Sequence, residues 1–130
     1  MMKYKGKRAG VVLAGCGVYD GGEIHEAGLT LLALDAYRQG DKETGKISAT
    51  DLDLLIFPGG AAKNLSDFAF KGRYCTVERE TERLIKEMHA ARKPQGFICI
   101  APVIAAKVLG EYDPLLTIGS DAQTAAAADT

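Results

Sequence analysis

The stretch QGFICIAPVIAAKVL, from Gln95 to Leu109, joins a short apolar run to an alanine-rich pattern through a proline. The apolar run is continuous rather than alternating, which is typical of a strand covered on both faces of a parallel sheet. Pro102 is tolerated in the first turn of a helix, so a helix over Val103–Leu109 can follow at once. The stretch therefore predicts a strand that ends near Cys99 and leads directly into a helix.

Three more apolar runs with glycine or proline beside them are predicted to be strands. They are RAGVVLAG (8–15), LDLLIFPGG (52–60) and PLLTIGS (114–120). Helical spacing lies between the runs, over Glu23–Tyr37 and Val77–Ala91. In the first helix the apolar residues fall mainly on one face, and they are Ile24, Ala27, Leu31, Leu32 and Leu34. In the second, Thr76 is the expected N-cap. Strands alternating with helices predict a three-layer α/β sandwich with a mostly parallel sheet.

This architecture is incomplete in the sequence. The interval DKETGKISAT (41–50) is polar and contains a glycine, where a doubly wound domain would ordinarily return to the sheet. The final AQTAAAADT (122–130) has the composition of a helix that is just beginning.

Composition excludes several classes of protein. The chain of 130 residues fits one domain, 1–130, and its net charge of −1 gives no basis for binding nucleic acid. No apolar run is long enough to span a membrane, and the apolar part of the N-terminal region, Ala9–Ala14, is short for a signal peptide. Three cysteines without a CxxC pair argue against a disulfide framework or a zinc site. A reducing compartment is therefore expected, with the cytoplasm as the default.

The ends of three predicted strands carry the residues suited to chemistry, because sites of open parallel sheets lie beyond the carboxyl ends of the strands. The loop AGCGVYDGGEIHE (14–26) is rich in glycine but lacks the spacing of a dinucleotide site. Its Glu23 and Glu26 are either functional or solvated residues of a first helical turn. The turn after Phe57, Gly59–Gly60, could supply N–H donors to an oxyanion or could be a plain tight turn.

Cys99 has two interpretations as well. Free cysteines are commonly buried, yet a cysteine between a strand and a helix can be a nucleophile, and the helix N-terminus would favour its thiolate. Cys16 is a competing nucleophile, and Cys75 is expected to be peripheral. A histidine partner for Cys99 would have to be His25, come from another chain, or not exist. Two histidines and scattered thiols do not form a convincing metal site.

The segments GCGVYDGGEIHEA, FPGGAAKNLSDFA and GFICIAPVIAAKVL with LTIGSD, in this order, resemble the ElbB family of isoprenoid-biosynthesis-associated, glyoxalase-like proteins. The resemblance covers Arg8 to about Asp121. The ElbB family belongs to the wider ThiJ/PfpI and class I glutamine amidotransferase-like superfamily. It implies a flavodoxin-like α/β/α sandwich, a homodimer, and no cofactor. The implied reaction is a weak conversion of glyoxal to glycolate, a lyase-type reaction on a small aldehyde or dicarbonyl.

The resemblance also assigns roles to residues. Cys99 matches the nucleophile and Glu26 the glutamate beside it. The implied oxyanion and substrate-binding set is Gly59, Gly60, Ile100, Gly17, Glu23 and His25. A non-catalytic alternative is a redox-sensing or partner-binding protein with an oxidisable Cys99.

Four departures from the family pattern point to low activity. Ile100 follows the cysteine where more active superfamily members place a histidine, and the late His-x-Glu of amidotransferases is absent. The turn reads PGGAAKNLS, two residues shorter than usual, and the second strand is missing. These gaps fit either a shortened protein or a sequence that joins ordered segments of a longer protein across omitted ones. The intact motifs favour the second interpretation.

Overall fold

The computed structural model describes residues 6–15, 22–34, 42–60 and 62–118. Its centre is a parallel sheet of three strands in the order β1-β2-β3. The strands are β1 (Ala9–Val11), β2 (Leu54–Phe57) and β3 (Gln95–Phe97). Val11 pairs with Ile56, and Phe57 pairs with Phe97. The structure therefore confirms an α/β fold with a parallel sheet, and it confirms three of the four predicted strands.

The helices of the described residues surround this sheet and connect its strands. They are α1 (Ile24–Ala33), α2 (Ala62–Leu65), α3 (Phe68–Lys71), α4 (Arg79–Ala90) and α5 (Pro102–Leu109). Helices α1, α4 and α5 confirm the three predicted helices within the described ranges. None of the described helices is long and apolar enough to cross a membrane.

The N-cap of helix α4 lies two residues after the predicted cap, Thr76. The N-cap is Glu78, whose carboxylate accepts hydrogen bonds from the backbone N–H groups of Glu80 (2.9 Å) and Thr81 (2.8 Å). Thr76 does not cap the helix, because its N–H and hydroxyl both donate to the Asp67 carboxylate. Thr76 therefore links the segment before α4 to Asp67, which lies between α2 and α3, and does not start a helix.

The core lies between the sheet, α4 and α5. The rings of Phe57 and Phe97 stack across neighbouring strands with their centroids 4.9 Å apart. Helix α4 buries Leu84, Ile85 and Met88 against this core. Every residue of α5 except the exposed Lys107 is buried, which explains its continuous apolar sequence.

Helix α1 does not join this core, although its apolar residues fall mainly on one face. None of its described residues is buried, and the side chains of Ile24 and Leu32 are 73% and 74% exposed. The helix is attached at its start, where Gly22 N–H donates to the Ala14 carbonyl (2.7 Å) and Glu23 N–H donates to the Gly59 carbonyl (2.8 Å). The apolar periodicity correctly predicted a helix, but it could not show whether another element covers that face.

The polar interval before β2 is held in place by two side chains, one from α4 and one from the residues that follow α4. It forms two short 3₁₀ turns, Thr44–Lys46 and Ala49–Asp51, and contains no strand over its described residues 42–51. The Arg83 guanidinium donates to the carbonyls of Thr44 and Ile47, at 3.0 and 2.8 Å. The Lys93 ammonium donates to the carbonyls of Ala49 and Leu52, at 2.6 and 2.5 Å. Charged groups that satisfy backbone carbonyls thus stabilise a segment with little apolar surface.

The fourth predicted strand is wrong over the residues that the structure describes. Residues 114–118 have no strand pairing, and the Leu115 side chain is fully exposed. Gly119, Ser120 and the alanine-rich segment 122–130 lie outside the described residues.

Candidate active site

Cys99 lies in the turn between β3 and α5, at the carboxyl end of the sheet. Its φ of +60° is in the left-handed region, which side chains other than glycine rarely adopt. The turn is fixed on both sides, because Ile98 N–H donates to the Phe57 carbonyl (3.0 Å) and Ala101 N–H donates to the Ile98 carbonyl (3.0 Å). The Cys99 residue is exposed. Backbone strain of this kind that points a thiol away from the core is typical of functional sites.

The Glu26 side chain reaches Cys99 from the first turn of α1. The Glu26 carboxylate and the Cys99 side chain meet beside Gly59, because a Cβ at Gly59 would contact both a Glu26 carboxylate oxygen and the Cβ of Cys99. Burial of the thiol raises the pKa of Cys99, and the charge and hydrogen bond of Glu26 raise the pKa further. The backbone N–H of Ile100 at the helix start lowers the pKa of Cys99, as expected, but burial and Glu26 outweigh it and the thiolate is not favoured. At rest the sulfur is a thiol beside a carboxylate that can accept its proton.

Gly59 joins the two partners. Its N–H donates to a carboxylate oxygen of Glu26, and its carbonyl accepts from Glu23 N–H. A Cβ at this position would overlap that same carboxylate oxygen and would lie 2.5 Å from the Cβ of Cys99. Only glycine leaves room for Glu26 and Cys99 to meet here. The Gly59 N–H, which was expected to serve an oxyanion, is occupied by Glu26 instead.

Gly60 has a φ of +79° and completes the turn after β2. Within the described part of the chain its N–H has no hydrogen-bond partner, whereas its carbonyl accepts from Lys63 N–H (3.0 Å). Gly60 is thus a backbone donor of the PGG turn with capacity for a ligand.

Glu23 is the N-cap of α1. One carboxylate oxygen accepts from the backbone N–H of Glu26 (2.7 Å), and the other bonds to Nδ1 of His25 (2.8 Å). The hydrogen bond with His25 lowers the pKa of Glu23, and the bond from the Glu26 N–H lowers it further. Glu23, Glu26 and Gly59 therefore form one connected set of hydrogen bonds behind the thiol.

The structure does not bring every predicted residue into this set. The His25 ring is exposed and bonded to Glu23, so it is not presented as a base for Cys99. Ile100 takes part through its backbone, and its side chain packs partly buried against the core. Gly17 and Cys16 lie outside the described residues. Cys75 is only 2% exposed, and burial raises the pKa of its thiol, so the expectation of a peripheral cysteine is wrong.

Two features of the site escaped the sequence analysis. The Gly22 bond to Ala14 closes the glycine-rich loop, and Gly59 binds Glu26 through its N–H. The clusters of glycines were a signal for both, but glycine alone does not reveal which carboxylate it faces. No group of three or more histidine, cysteine, aspartate or glutamate residues suited to a metal ion occurs in the part of the chain that the structure describes.

Comparisons with known proteins support the superfamily and the fold, and they do not test the site. No protein-family model matches the chain. The ES1 protein homolog, mitochondrial, of Rattus norvegicus is 40% identical over 156 residues, covering 88% of this chain and 58% of the rat protein. The human glutamine amidotransferase-like class 1 domain-containing protein 3, mitochondrial, is 38% identical with the same two coverages. A crystal structure from Ehrlichia chaffeensis, described as an isoprenoid biosynthesis protein with an amidotransferase-like domain, has a TM-score of 0.66 and 27% identity. That match covers 80% of this chain and 69% of the other.

These comparisons support the class I glutamine amidotransferase-like superfamily for the chain. The chain spans little more than half the length of its rat and human relatives. The aligned region of 156 residues is longer than the whole chain of 130, so the relatives contain internal segments that this chain lacks.

Proposed function

We propose that the protein converts small dicarbonyls, glyoxal to glycolate, with Cys99 as the nucleophile and Glu26 as the acid and base. The observation that carries this proposal is that Cys99, exposed at a left-handed turn, and the Glu26 carboxylate meet beside Gly59, where an added Cβ would contact both side chains. A nucleophile within hydrogen-bond reach of a base is the arrangement that covalent catalysis needs. No cofactor is required, because the reaction is an internal redox exchange between two carbons.

The reaction begins with the resting thiol. Glu26 accepts the thiol proton while sulfur bonds to one aldehyde carbon, and that proton passes to the aldehyde oxygen to give a hemithioacetal. Glu26 then removes the hydrogen of the sulfur-bearing carbon while the neighbouring aldehyde oxygen is protonated, which gives an enediol. The neighbouring carbon next takes a proton from Glu26, and the hydroxyl on the sulfur-bearing carbon loses its proton to become the thioester carbonyl. The product of this isomerisation is a thioester of glycolic acid. Water adds to its carbonyl, the carbon–sulfur bond breaks, and glycolate leaves with the thiol restored.

Backbone donors at the turn would stabilise the developing oxyanion. The Gly59 N–H is committed to Glu26, which makes Gly60 N–H and Ile100 N–H the candidates. Ile100 directly follows the nucleophile, the position that supplies such a donor in nucleophile elbows. Removing one such donor has cost ~100- to 1,000-fold in kcat elsewhere, so the committed Gly59 fits a weak enzyme.

The raised pKa of Cys99 also fits low activity. Little thiolate exists at neutral pH, so each attack depends on proton transfer to Glu26. The exposed His25 is engaged by Glu23 and adds no second base at the sulfur.

We further propose that the protein belongs to the ElbB family and is a homodimer in a reducing compartment. The Ehrlichia chaffeensis neighbour, described as an isoprenoid biosynthesis protein, supports the family assignment. The cytoplasm is the predicted compartment, while the rat and human relatives carry "mitochondrial" in their names and favour mitochondria. Fractionation with compartment markers separates the two locations.

Glyoxal turnover by the protein and by Cys99→Ser tests the catalytic proposal. We expect measurable glycolate from the wild type and none above background from Cys99→Ser, because serine at this position lacks a comparably acidic proton. Cys75→Ala is the matched control, since Cys75 is buried within the packed part of the chain. Activity retained in Cys99→Ser would overturn the assignment.

A redox-sensing protein is the second candidate, and the exposure of Cys99 is the observation that favours it. It predicts negligible glyoxal turnover together with sulfenic or sulfinic acid at Cys99 after peroxide treatment. Mass spectrometry of the cysteine peptides decides the question. Oxidation confined to Cys16 or Cys75 would contradict the sensor function.

A further inference from the structure

Glu23, the partly buried N-cap of α1, has more contacts with the site than capping the helix requires. Its carboxylate binds the Glu26 N–H at 2.7 Å, and its own N–H binds the Gly59 carbonyl at 2.8 Å. Gly59 in turn donates to the Glu26 carboxylate. The three residues close a ring of hydrogen bonds in which the backbone of Glu23 and both ends of Glu26 are fixed.

This ring is important because α1 has no other strong attachment among the described residues. No residue of the helix is buried, so apolar packing does not hold Glu26 in place. The position of the Glu26 carboxylate relative to the sulfur therefore depends on the hydrogen bonds at the start of α1. Side-chain capping of this kind is the usual way to satisfy N–H groups of a first turn, but here the capped N–H belongs to the residue that contacts the thiol.

We infer that Glu23 is a positioning residue, which holds Glu26 against Cys99, and not a residue that binds substrate. Both of its carboxylate oxygens are engaged, one by the Glu26 N–H and one by His25 Nδ1, so neither is directed to a ligand. This inference rests on the proposed pairing of Cys99 with Glu26, and its test does not require that glyoxal be the substrate.

The decisive measurement is the pH dependence of Cys99 alkylation by iodoacetamide, followed on the Cys99 peptide by mass spectrometry. The charged groups acting on this thiol are Glu26 and, more weakly, Glu23 itself. Glu26→Gln is expected to lower the pKa of Cys99, because it removes the carboxylate charge. Glu23→Ala is expected to lower it too, because Glu26 is released from the sulfur.

Combining the two substitutions separates positioning from the direct charge of Glu23. In a Glu26→Gln background, Glu23→Ala should have little further effect on the alkylation profile. An equal effect of Glu23→Ala in both backgrounds would overturn the inference, as would no effect in the wild type. Glu111→Ala, which removes an exposed carboxylate elsewhere, is the control and should leave the profile unchanged.

A conservative substitution of Glu23 distinguishes a loss of positioning from misfolding of the protein. Glu23→Gln keeps an oxygen that can accept from the Glu26 N–H but loses the charge, so it should retain the wild-type profile more closely than Glu23→Ala. Equal profiles for the two variants would contradict positioning.

With glyoxal as the substrate, we expect Glu23→Ala to lower kcat by ~10- to 100-fold with KM little changed. A raised KM with unchanged kcat would instead assign Glu23 to substrate binding.

Discussion

Helices α4 and α1 are of similar length, twelve and ten residues, but they are held in the protein in different ways. Helix α4 buries four side chains and ties the preceding polar segment down with Arg83 and Glu87. Helix α1 buries none and depends on hydrogen bonds at its first turn. Apolar burial thus organises one region of the molecule, and backbone hydrogen bonding organises the other.

The candidate active site crosses the boundary between these regions. Cys99 precedes α5, whose residues are almost entirely buried, whereas Glu26 belongs to α1. Gly59, at the end of the central strand β2, connects them. The thiol is therefore rigidly placed by the core, and the acid–base residue is placed only by a few polar contacts.

Large-to-small substitutions should show the greatest contrast between the two helices. Ile85→Ala in α4 is expected to lower the free energy of unfolding by about 2–5 kcal/mol, because it leaves a cavity in the packed core. Leu32→Ala in α1 should change it by less than about 0.5 kcal/mol, because that side chain is already exposed. Urea denaturation measures both. Comparable losses would mean that the face of α1 is covered in solution, and would break the comparison.

Gly59→Ala should damage activity more than stability. The new Cβ displaces the Glu26 carboxylate from the sulfur, so we expect a loss of ~100-fold in glyoxal turnover. Gly28→Ala is the matched control in the middle of α1, where an added Cβ meets nothing. It should leave turnover unchanged and stabilise the helix by up to about 1 kcal/mol. Wild-type turnover in Gly59→Ala would show that Glu26 does not need this contact.

The two glutamate N-caps provide a finer comparison. Glu78→Ala should cost about 1 kcal/mol of unfolding free energy, because α4 is integral to the core and its cap accepts from two N–H groups. Glu23→Ala should cost less, since fraying of α1 exposes little that is buried. Chemical denaturation of both variants gives the order. A larger loss from Glu23→Ala would contradict the weak coupling of α1.

Acid sensitivity of the packed region is the smallest expected effect. The ion pair with Lys71 and the bonds from Thr76 lower the pKa of Asp67 from 3.8 to about 2. A carboxylate with a lowered pKa stabilises the folded state above its unfolded pKa, and this contribution disappears as pH falls through about 4 toward 2. Asp67→Asn should therefore reduce the difference in stability between pH 6 and pH 3, measured by thermal unfolding. An unchanged difference would show that the pair contributes nothing.

The sequence predicted the sheet better than it predicted what covers the sheet. The runs around Val11, Ile56 and Phe97 became parallel strands because each is short, apolar and bounded by glycine or proline. The run at Leu115 has the same composition but no strand beside it, and composition carries no information about an available sheet position. The same limit applies to α1, whose periodicity revealed a helix without revealing a partner for its apolar face.

The site was only partly predictable, because sequence patterns do not show three-dimensional contacts. Strand ends and glycines placed Cys99 and Gly59 at one edge of the sheet, and the family resemblance supplied Glu26. The direction of the Cys99 pKa was not predictable, because the burial and the carboxylate that raise it depend on three-dimensional contacts. Nor could the sequence show that the Gly59 N–H is already in use.

Attachment of α1 at one end has a mechanical consequence. The helix is about 15 Å long, and its fixed point lies beside Glu26, at the opposite end from Ala33. When a helix rotates about its first turn, its last residues are displaced much more than its first residues. Tilting of α1 that displaces Ala33 by several ångströms therefore leaves the carboxylate close to the sulfur. Contacts made near Ala33 can therefore differ while the geometry of the reacting atoms is preserved.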